Sequence, residues 1–251
     1  MLREDIVFGP IHSRRLGASL GINLLPQKGK LCNFDCIYCE CGWNKDGTGD
    51  KTIPKAEDLQ SALEAKLKQC LKDNVLIDSI TFSGDGEPTL NPDFAKIIDI
   101  TISLRNRYYP EASVSVLSNA TRIYKDDVFN ALKKVDNPIL KLDAPFDEAV
   151  ARINRPQGEF HVQKIVNDLM RFEGNFILQT MFLKSDDFDS SDPVSLQAWM
   201  DIVRKLHPRK IMVYTIDRET PEKGLEKFTE DQMRLMVKPL VDDGLDVQIN
   251  G

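Results

Sequence analysis

The sequence predicts an α/β protein of parallel strands joined by helical crossovers. Three observations carry this: strand-like and helix-like patterns alternate some six times, no stretch reads as a clear linker, repeat or low-complexity tract, and 41% hydrophobic content over 251 residues supplies one sizeable core. Crossovers between parallel strands are right-handed, and the sheet is then covered on both faces or curls into a barrel. Periodicity alone leaves an open doubly wound sheet, a full barrel and a partial barrel all standing.

Residues 19–25 (Ser-Leu-Gly-Ile-Asn-Leu-Leu) read as the first strand, running through Pro26 and a Lys/Gly turn into a cysteine-rich loop. Leu59, Leu63, Leu67 and Leu71 then recur at helical spacing with Pro54 in the first turn, and Cys70 on that helix reads as a small buried apolar residue. Residues 79–83 are the second strand, and Asn91-Pro92 reads as the N-cap and first turn of a helix carrying Phe94, Ile97 and Ile98. A strand at 113–117 precedes a helix around Val128 and Leu132; a strand at 138–142 is followed, after a longer loop, by a helix marked by Val162, Ile165, Val166 and Leu169. Strand 176–182, helix 196–206, strand 210–215 and helix 230–241 complete the series, with 247–249 a short last strand.

Composition narrows the function classes. The N-terminus Met1-Leu2-Arg3-Glu4-Asp5 is charged where a signal peptide needs an apolar stretch, and no run of about 18 apolar residues occurs, so a soluble cytoplasmic protein without a membrane partner is expected. Five cysteines, three in one loop, fit a reducing compartment better than a disulfide framework. The net charge of −6 argues against a general nucleic-acid binder. Residues 1–45 are nevertheless locally positive, with Arg3, Arg14, Arg15, Lys28, Lys30 and Lys45 against Glu4, Asp5, Asp35 and Glu40, which keeps a polyanionic substrate open.

Cys32, Cys36 and Cys39 form a C-x₃-C-x₂-C loop that lets the chain curl around one corner of an iron–sulfur cube. Full ligation takes four cysteines, so one iron keeps an open position that binds a small molecule, as the open position of catalytic zinc does. A structural zinc site with Cys41 drafted as fourth ligand and a redox thiol cluster are the other readings of the loop. Parallel barrels place their sites at the C-terminal strand ends. Distinctive polar residues recur there: Ser83-Gly84-Asp85-Gly86-Glu87-Pro88, then Ser118-Asn119-Ala120-Thr121, Lys141 with Asp143, Gln179 and Tyr214. Glycines at such a point let backbone approach a ligand closely.

The cysteine spacing, with an aromatic residue before the last cysteine, resembles the cluster loop of the radical S-adenosylmethionine (SAM) enzymes. The segments 9–17, 19–26, 86–90, 141–144, 152–156 and 179–183 together resemble a family of stand-alone iron–sulfur oxidoreductases related to the wybutosine-forming tRNA enzymes. The resemblance spans roughly 9–217 and implies a partial (β/α)6 TIM-like barrel of the radical SAM type. It divides a single domain, 1–251, into an N-terminal extension (1–18), a core barrel (19–217) and a C-terminal helix and short strand (218–251).

The resemblance also implies the chemistry: one [4Fe–4S] cluster on Cys32, Cys36 and Cys39, SAM on the open iron, and a flavodoxin or ferredoxin as electron donor. Tyr38 then lends its backbone to the adenine side. Gly84, Asp85, Gly86 and Glu87 match the Gly-Gly-Glu-Pro motif that binds the SAM amino group, with Asp85 in place of a glycine. Ser118, Asn119, Asp143 and Gln179 hold the rest of SAM. His12, Arg14 and Arg15 precede the first strand and either fold over the pocket mouth or, for the arginines, form ordinary ion pairs with the acidic surface; Lys141 and Tyr214 read as substrate-facing or as structural caps, and Arg152, Asn154 and Arg155 as substrate-facing. Asp186, Asp187, Asp189 and Asp192 read as a solvated acidic loop. The implied substrate is an RNA base, with a peptide or small metabolite as the alternative and a non-catalytic iron–sulfur or zinc protein as the remote one. No second cysteine cluster near the C-terminus matches the extension of a peptide-modifying subfamily.

Overall fold

Short apolar runs of this chain form strands buried on both faces, as parallel strands under helices require: all four residues of Ser79–Phe82 and all five of Ile177–Met181 are buried. The computed structural model describes residues 5–13, 16–47, 49–50 and 52–251. The chain divides into two compact units, the first holding residues up to Cys32, 44–118 and 122–138, the second 33–43, 119–121 and 139–251. The division falls within the strand–helix alternation, which is why no linker composition announces it.

In the first unit β1 (Val7–Ser13) and β2 (Gly17–Ile22) form an antiparallel pair, and β2 then runs parallel to β3 (Ser79–Phe82) and β3 to β4 (Ser113–Ser118). The helices are α1 (Ala56–Lys72), α2 (Phe94–Tyr108) and α3 (Asp126–Leu132). The expected N-terminal extension is thus partly a strand. Gly21 explains it: a side-chain carbon there would overlap the Phe8 ring, so the missing Cβ of β2 is the slot that receives β1. Polar residues inside the strands satisfy each other. Ser19 Oγ lies 2.7 Å from Thr81 Oγ1, Ser79 Oγ 3.0 Å from Ser115 Oγ, and Asn137 Nδ2 donates to Ser115 Oγ at 3.1 Å.

Leu59, Leu63 and Leu67 are fully buried along α1, while Leu71 is 45% exposed and Cys70 takes the inward place in the last turn. Pro54 precedes the helix instead of opening it. Asn91 is likewise not the N-cap of α2: Asp93 is, and Asn91 instead accepts from Asp93 N and donates to the carbonyls of Leu24 and Pro54 at 3.0 and 2.9 Å.

The second unit holds most of β5 (Asn137–Lys141), then α4 (Asp147–Ile153), α5 (Val162–Met170), β6 (Ile177–Met181), β7 (Leu183–Ser185), β8 (Phe188–Asp189) and α6 (Pro193–Leu206). It ends with β9 (Lys210–Tyr214), β10 (Glu226–Lys227), α7 (Glu230–Asp242) and β11 (Val247–Asn250). β5, β6, β9 and β11 pair in that order and all in parallel, and β10-β7-β8 form a small antiparallel sheet. Two readings change. The stretch read as a loop after β5 contains α4, whose seven residues bury Ala149, Val150 and Ile153 but are too few to display a period. The acidic loop is structured: Asp189 lies on β8, and Asp192 caps α6 by accepting from Ser195 N at 2.9 Å. No helix of the described residues is long and apolar enough to cross a membrane.

The α1 stripe yields a paired test by urea denaturation. Leu63→Ala is expected to cost about 2–5 kcal/mol, and Leu71→Ala, half in solvent, within roughly 0.5 kcal/mol of nothing.

Candidate active site

In the first unit, the Gly84–Glu87 loop is shaped by the chain itself. Asn23, just past β2, accepts at Oδ1 from Asp85 N (3.1 Å) and Leu25 N (3.2 Å), and its Nδ2 donates to Asp85 Oδ2 (3.3 Å). Leu31, next to Cys32, bridges Gly86 as a strand would: Leu31 N donates to Asp85 O and Glu87 N to Leu31 O, both at 3.0 Å. A Cβ on Gly84 would overlap Asn23, and one on Gly86, at φ +139°, would overlap the Leu31 carbonyl. Close approach is therefore what both glycines provide, first of all to the chain's own backbone. Asp85 is fully buried on Asn23, which accounts for an aspartate at the place of a glycine. Glu87 is buried too, its Oε1 accepting from Thr89 N, Thr89 Oγ1 (2.6 Å) and Ser118 Oγ (2.9 Å). Asn44 Nδ2 donates to Cys32 O at 3.1 Å.

In the second unit, residues 33–37 of the cysteine loop lie along the chain that leaves α4. Asp35 N donates to Asn154 O, Ile37 N to Ile153 O and Gln157 N to Asn33 O, at 2.8–2.9 Å. Phe34 meets Phe160 edge to face at 5.5 Å, and Cys39 N donates to Cys36 O at 3.1 Å. Asn33, Asn119 and Thr121 close a ring. Asn119 Nδ2 donates to Asn33 Oδ1 (2.7 Å), Asn33 Nδ2 to Thr121 Oγ1 (2.6 Å), and Thr121 Oγ1 to Asn119 Oδ1 (2.7 Å).

Beside Cys36 lies a buried polar network. Asp143 Oδ2 accepts from the Tyr38 hydroxyl in a short hydrogen bond and from Asn154 Nδ2 at 2.7 Å, and Oδ1 accepts from Met181 N at 2.9 Å. Lys141 Nζ donates to Tyr38 OH (2.8 Å) and Tyr214 OH (3.4 Å) and stands 3.8 Å from Asp143 Oδ2. Asn154 Nδ2 also lies 3.0 Å from Tyr38 OH and 3.3 Å from Cys36 Sγ. Burial and the Asp143 charge hold the Tyr38 phenol well above its usual range. Burial is the largest influence on Lys141 and opposes its charge, but Asp143, Tyr214 and the neighbouring cysteines together outweigh it and hold the ammonium well above its usual range. Burial pushes the Cys36 thiol up.

The structure thus sorts the predicted residues. Asp143 has both oxygens engaged by the chain and Tyr38 contributes its phenol to the same network, with Lys141 and Tyr214 at its edge. Asn154, expected to face a substrate, is instead 1% exposed against Cys36. Arg152 lies within α4 and donates to Asp187 O at 2.8 Å. Arg155 stacks 4.8 Å from the Trp43 ring and pairs with Glu222 at 3.0 Å. His12 is exposed on β1 opposite Ala18, and Arg14 and Arg15 lie outside the described residues. Gln179 is buried on β6, and its side-chain amide makes no hydrogen bond among the described residues. Asn23, Asn33 and Thr121 were given no role from the sequence, although all three stand inside segments singled out there.

The donor set suits an iron–sulfur cluster: all five cysteines are free of disulfides, and an amide N–H is directed at Cys36 sulfur, as cluster thiolates are commonly hydrogen-bonded. Among the described residues no three His, Cys, Asp or Glu side chains converge as for a single metal ion.

The sequence profile described as Radical SAM superfamily matches residues 27–187. A UPF0026 protein of Helicobacter pylori is 32% identical over 239 residues, covering 93% of this chain and 73% of its own length. A Brachyspira hyodysenteriae protein named GTPase Obg is 32% identical over 238 residues, 92% of this chain but 33% of that protein, so the chain spans about a third of its length. Among solved structures, a radical SAM methyltransferase from Sphaerobacter thermophilus superposes with TM-score 0.69 at 13% identity, covering 92% of this chain and 66% of the other. TYW1 with a lysine–pyruvate adduct superposes at 0.62 and 16% identity, covering 90% and 73%. These likenesses show the fold to be the α/β partial barrel of that superfamily.

Replacing Asp85 by Ala strips Asn23 of a buried partner and is expected to lower stability by about 1–3 kcal/mol. Gly86→Ala is expected to cost more, because it strains φ and strikes backbone; chemical denaturation of the two variants in parallel reads both.

Proposed function

The chain belongs to the radical SAM superfamily and to the UPF0026 family, and we propose that its Cys32, Cys36 and Cys39 hold the cluster of an enzyme acting on an RNA base. A [4Fe–4S] cluster and SAM are the cofactors of this enzyme class. When bound, they supply a 5′-deoxyadenosyl radical, by one-electron cleavage of SAM to methionine, that takes a hydrogen atom from the substrate.

The protein's own residues supply ligation and orientation. Cys36 Sγ, fixed by the backbone ladder to α4 and faced by the Asn154 amide, is the observation that carries the reading. Cys41 stands outside the ligand set. The Gly84–Glu87 loop, held in shape by the Leu31 backbone bonds to Asp85 O and Glu87 N, offers its carbonyls to the SAM ammonium. Glu87 braces that loop through Oε1, on Thr89 and Ser118, and anchors the SAM amino group with it. Asn119, locked by Asn33 and Thr121, and the unpartnered amide of Gln179 orient the rest of SAM. Asp143 acts through Tyr38 and Asn154, and Tyr38 backs the adenine side.

For the substrate, the family resemblance favours an RNA guanosine, and the exposed Arg155 guanidinium, stacked on the half-buried Trp43 ring beside the cysteine loop, offers a face on which an unstacked base rests. Lys141 and Tyr214 line the substrate side, with His12, Arg14 and Arg15 contacting phosphate. A flavodoxin or ferredoxin delivers the electron, in the cytoplasm.

Anaerobic reconstitution followed by low-temperature electron paramagnetic resonance (EPR) tests the enzyme reading. SAM is expected to change the signal of the reduced cluster, with 5′-deoxyadenosine formed in the same sample; a SAM-insensitive cluster or bound zinc would refute it. Cys36→Ala is expected to lose nearly all iron, and Cys41→Ala to keep it. Transfer RNA binding is expected to weaken steeply with salt; salt-independent binding points to a peptide or metabolite instead.

A further inference from the structure

We infer that Asn154 is a positioning residue for the cluster: its side-chain amide directs an N–H at the Cys36 sulfur and so raises the readiness of a cluster on that sulfur to accept an electron. The inference rests on the cysteine assignment proposed above.

The amide can face only one way. Its Nδ2 lies 2.7 Å from Asp143 Oδ2, 3.0 Å from Tyr38 OH and 3.3 Å from Cys36 Sγ. Tyr38 gives its own proton to Asp143, so both oxygens beside the amide are acceptors. Turning the amide over would set its carbonyl oxygen against a carboxylate and against the phenol oxygen, in a site where Asn154 is 1% exposed and water cannot compensate. Two N–H groups then serve three acceptors: the neighbouring oxygens share one, and the other is aimed at sulfur.

Backbone bonds hold that aim. Asn154 N donates to Val150 O at 2.8 Å, and its carbonyl accepts from Asp35 N at 2.9 Å, one residue before Cys36. The amide and the sulfur therefore move as one piece. An N–H on a ligand sulfur stabilises the more negative, reduced cluster, and more so when buried in a low dielectric.

The test compares the reconstituted wild-type chain with Asn154→Leu, which keeps the size and removes the donor, and Asn154→His, which restores an N–H. Iron and sulfide content are measured first, then the reduction potential by EPR-monitored titration without SAM. The expected result is a full cluster throughout and a roughly tenfold shift of the Leu variant toward the oxidised form, about 59 mV for one electron, partly recovered with His. An unchanged potential at full cluster content overturns the inference. Failure of the wild-type chain to take up a cluster overturns the cysteine assignment instead.

Where the Leu variant does not fold, the wild-type protein is labelled with ¹⁵N at asparagine side chains alone and its reduced cluster examined by pulsed EPR. A ¹⁵N coupling is expected from Asn154, and it is expected to persist in Asn44→Ala, which removes the amide that donates to Cys32 O, Asn33 having its amide on Thr121. Absence of the coupling overturns the inference equally.

Discussion

The buried carboxylate of Asp143 is the constraint around which the interior of the second unit is arranged. Its side chain is wholly out of solvent, and an unpaired charge there would cost several kcal/mol, on the order of what breaking a buried pair costs. The chain answers with Tyr38 and Asn154 on one oxygen, Met181 N on the other and Lys141 nearby. Each partner is tied elsewhere. Tyr38 is in the cysteine loop, Met181 ends β6, Lys141 ends β5, and Asn154 follows α4. One charge therefore orients four segments, and the cysteine loop is positioned by a group that is not itself a ligand.

The same economy holds for the glycine-rich loop of the first unit. Gly84 and Gly86 look from their type like openings for a ligand, yet Asn23 and the Leu31 carbonyl already occupy the space next to them. The loop is stiff because its polar groups are satisfied by the chain: Asp85 by Asn23, Glu87 by Thr89 and Ser118. Preorganisation of this kind matters for a reaction whose outcome depends on aiming one carbon at one hydrogen, since orientation must be settled before bond breaking.

How far the sequence was legible follows from the range of the interactions concerned. Short β-branched and apolar stretches declare the parallel strands, so β3, β4, β6 and β9 were readable, as was α1 through its leucines. The cysteine motif was visible because its spacing is local. β1 was not, since it exists by fitting Phe8 over Gly21, and α4 was not, since seven residues do not display a period. Asp85 was visible only as a departure from a motif, its partner Asn23 standing 62 residues away. Asn154 faces a cysteine 118 residues distant. A polar residue after a strand reads as facing ligand or solvent, and only packing reveals that it faces the protein.

The charges beside Cys36 also explain why a dipole matters there. Lys141 lowers and Asp143 raises the energy of negative charge on that sulfur, and the two act in opposition. Of the two charges, Lys141 weighs more heavily on the sulfur than Asp143. The amide of Asn154 adds to it a neutral group in a fixed orientation. An oriented amide biases the same equilibrium by a smaller step, and the carboxylate that needs its other N–H keeps it from turning away.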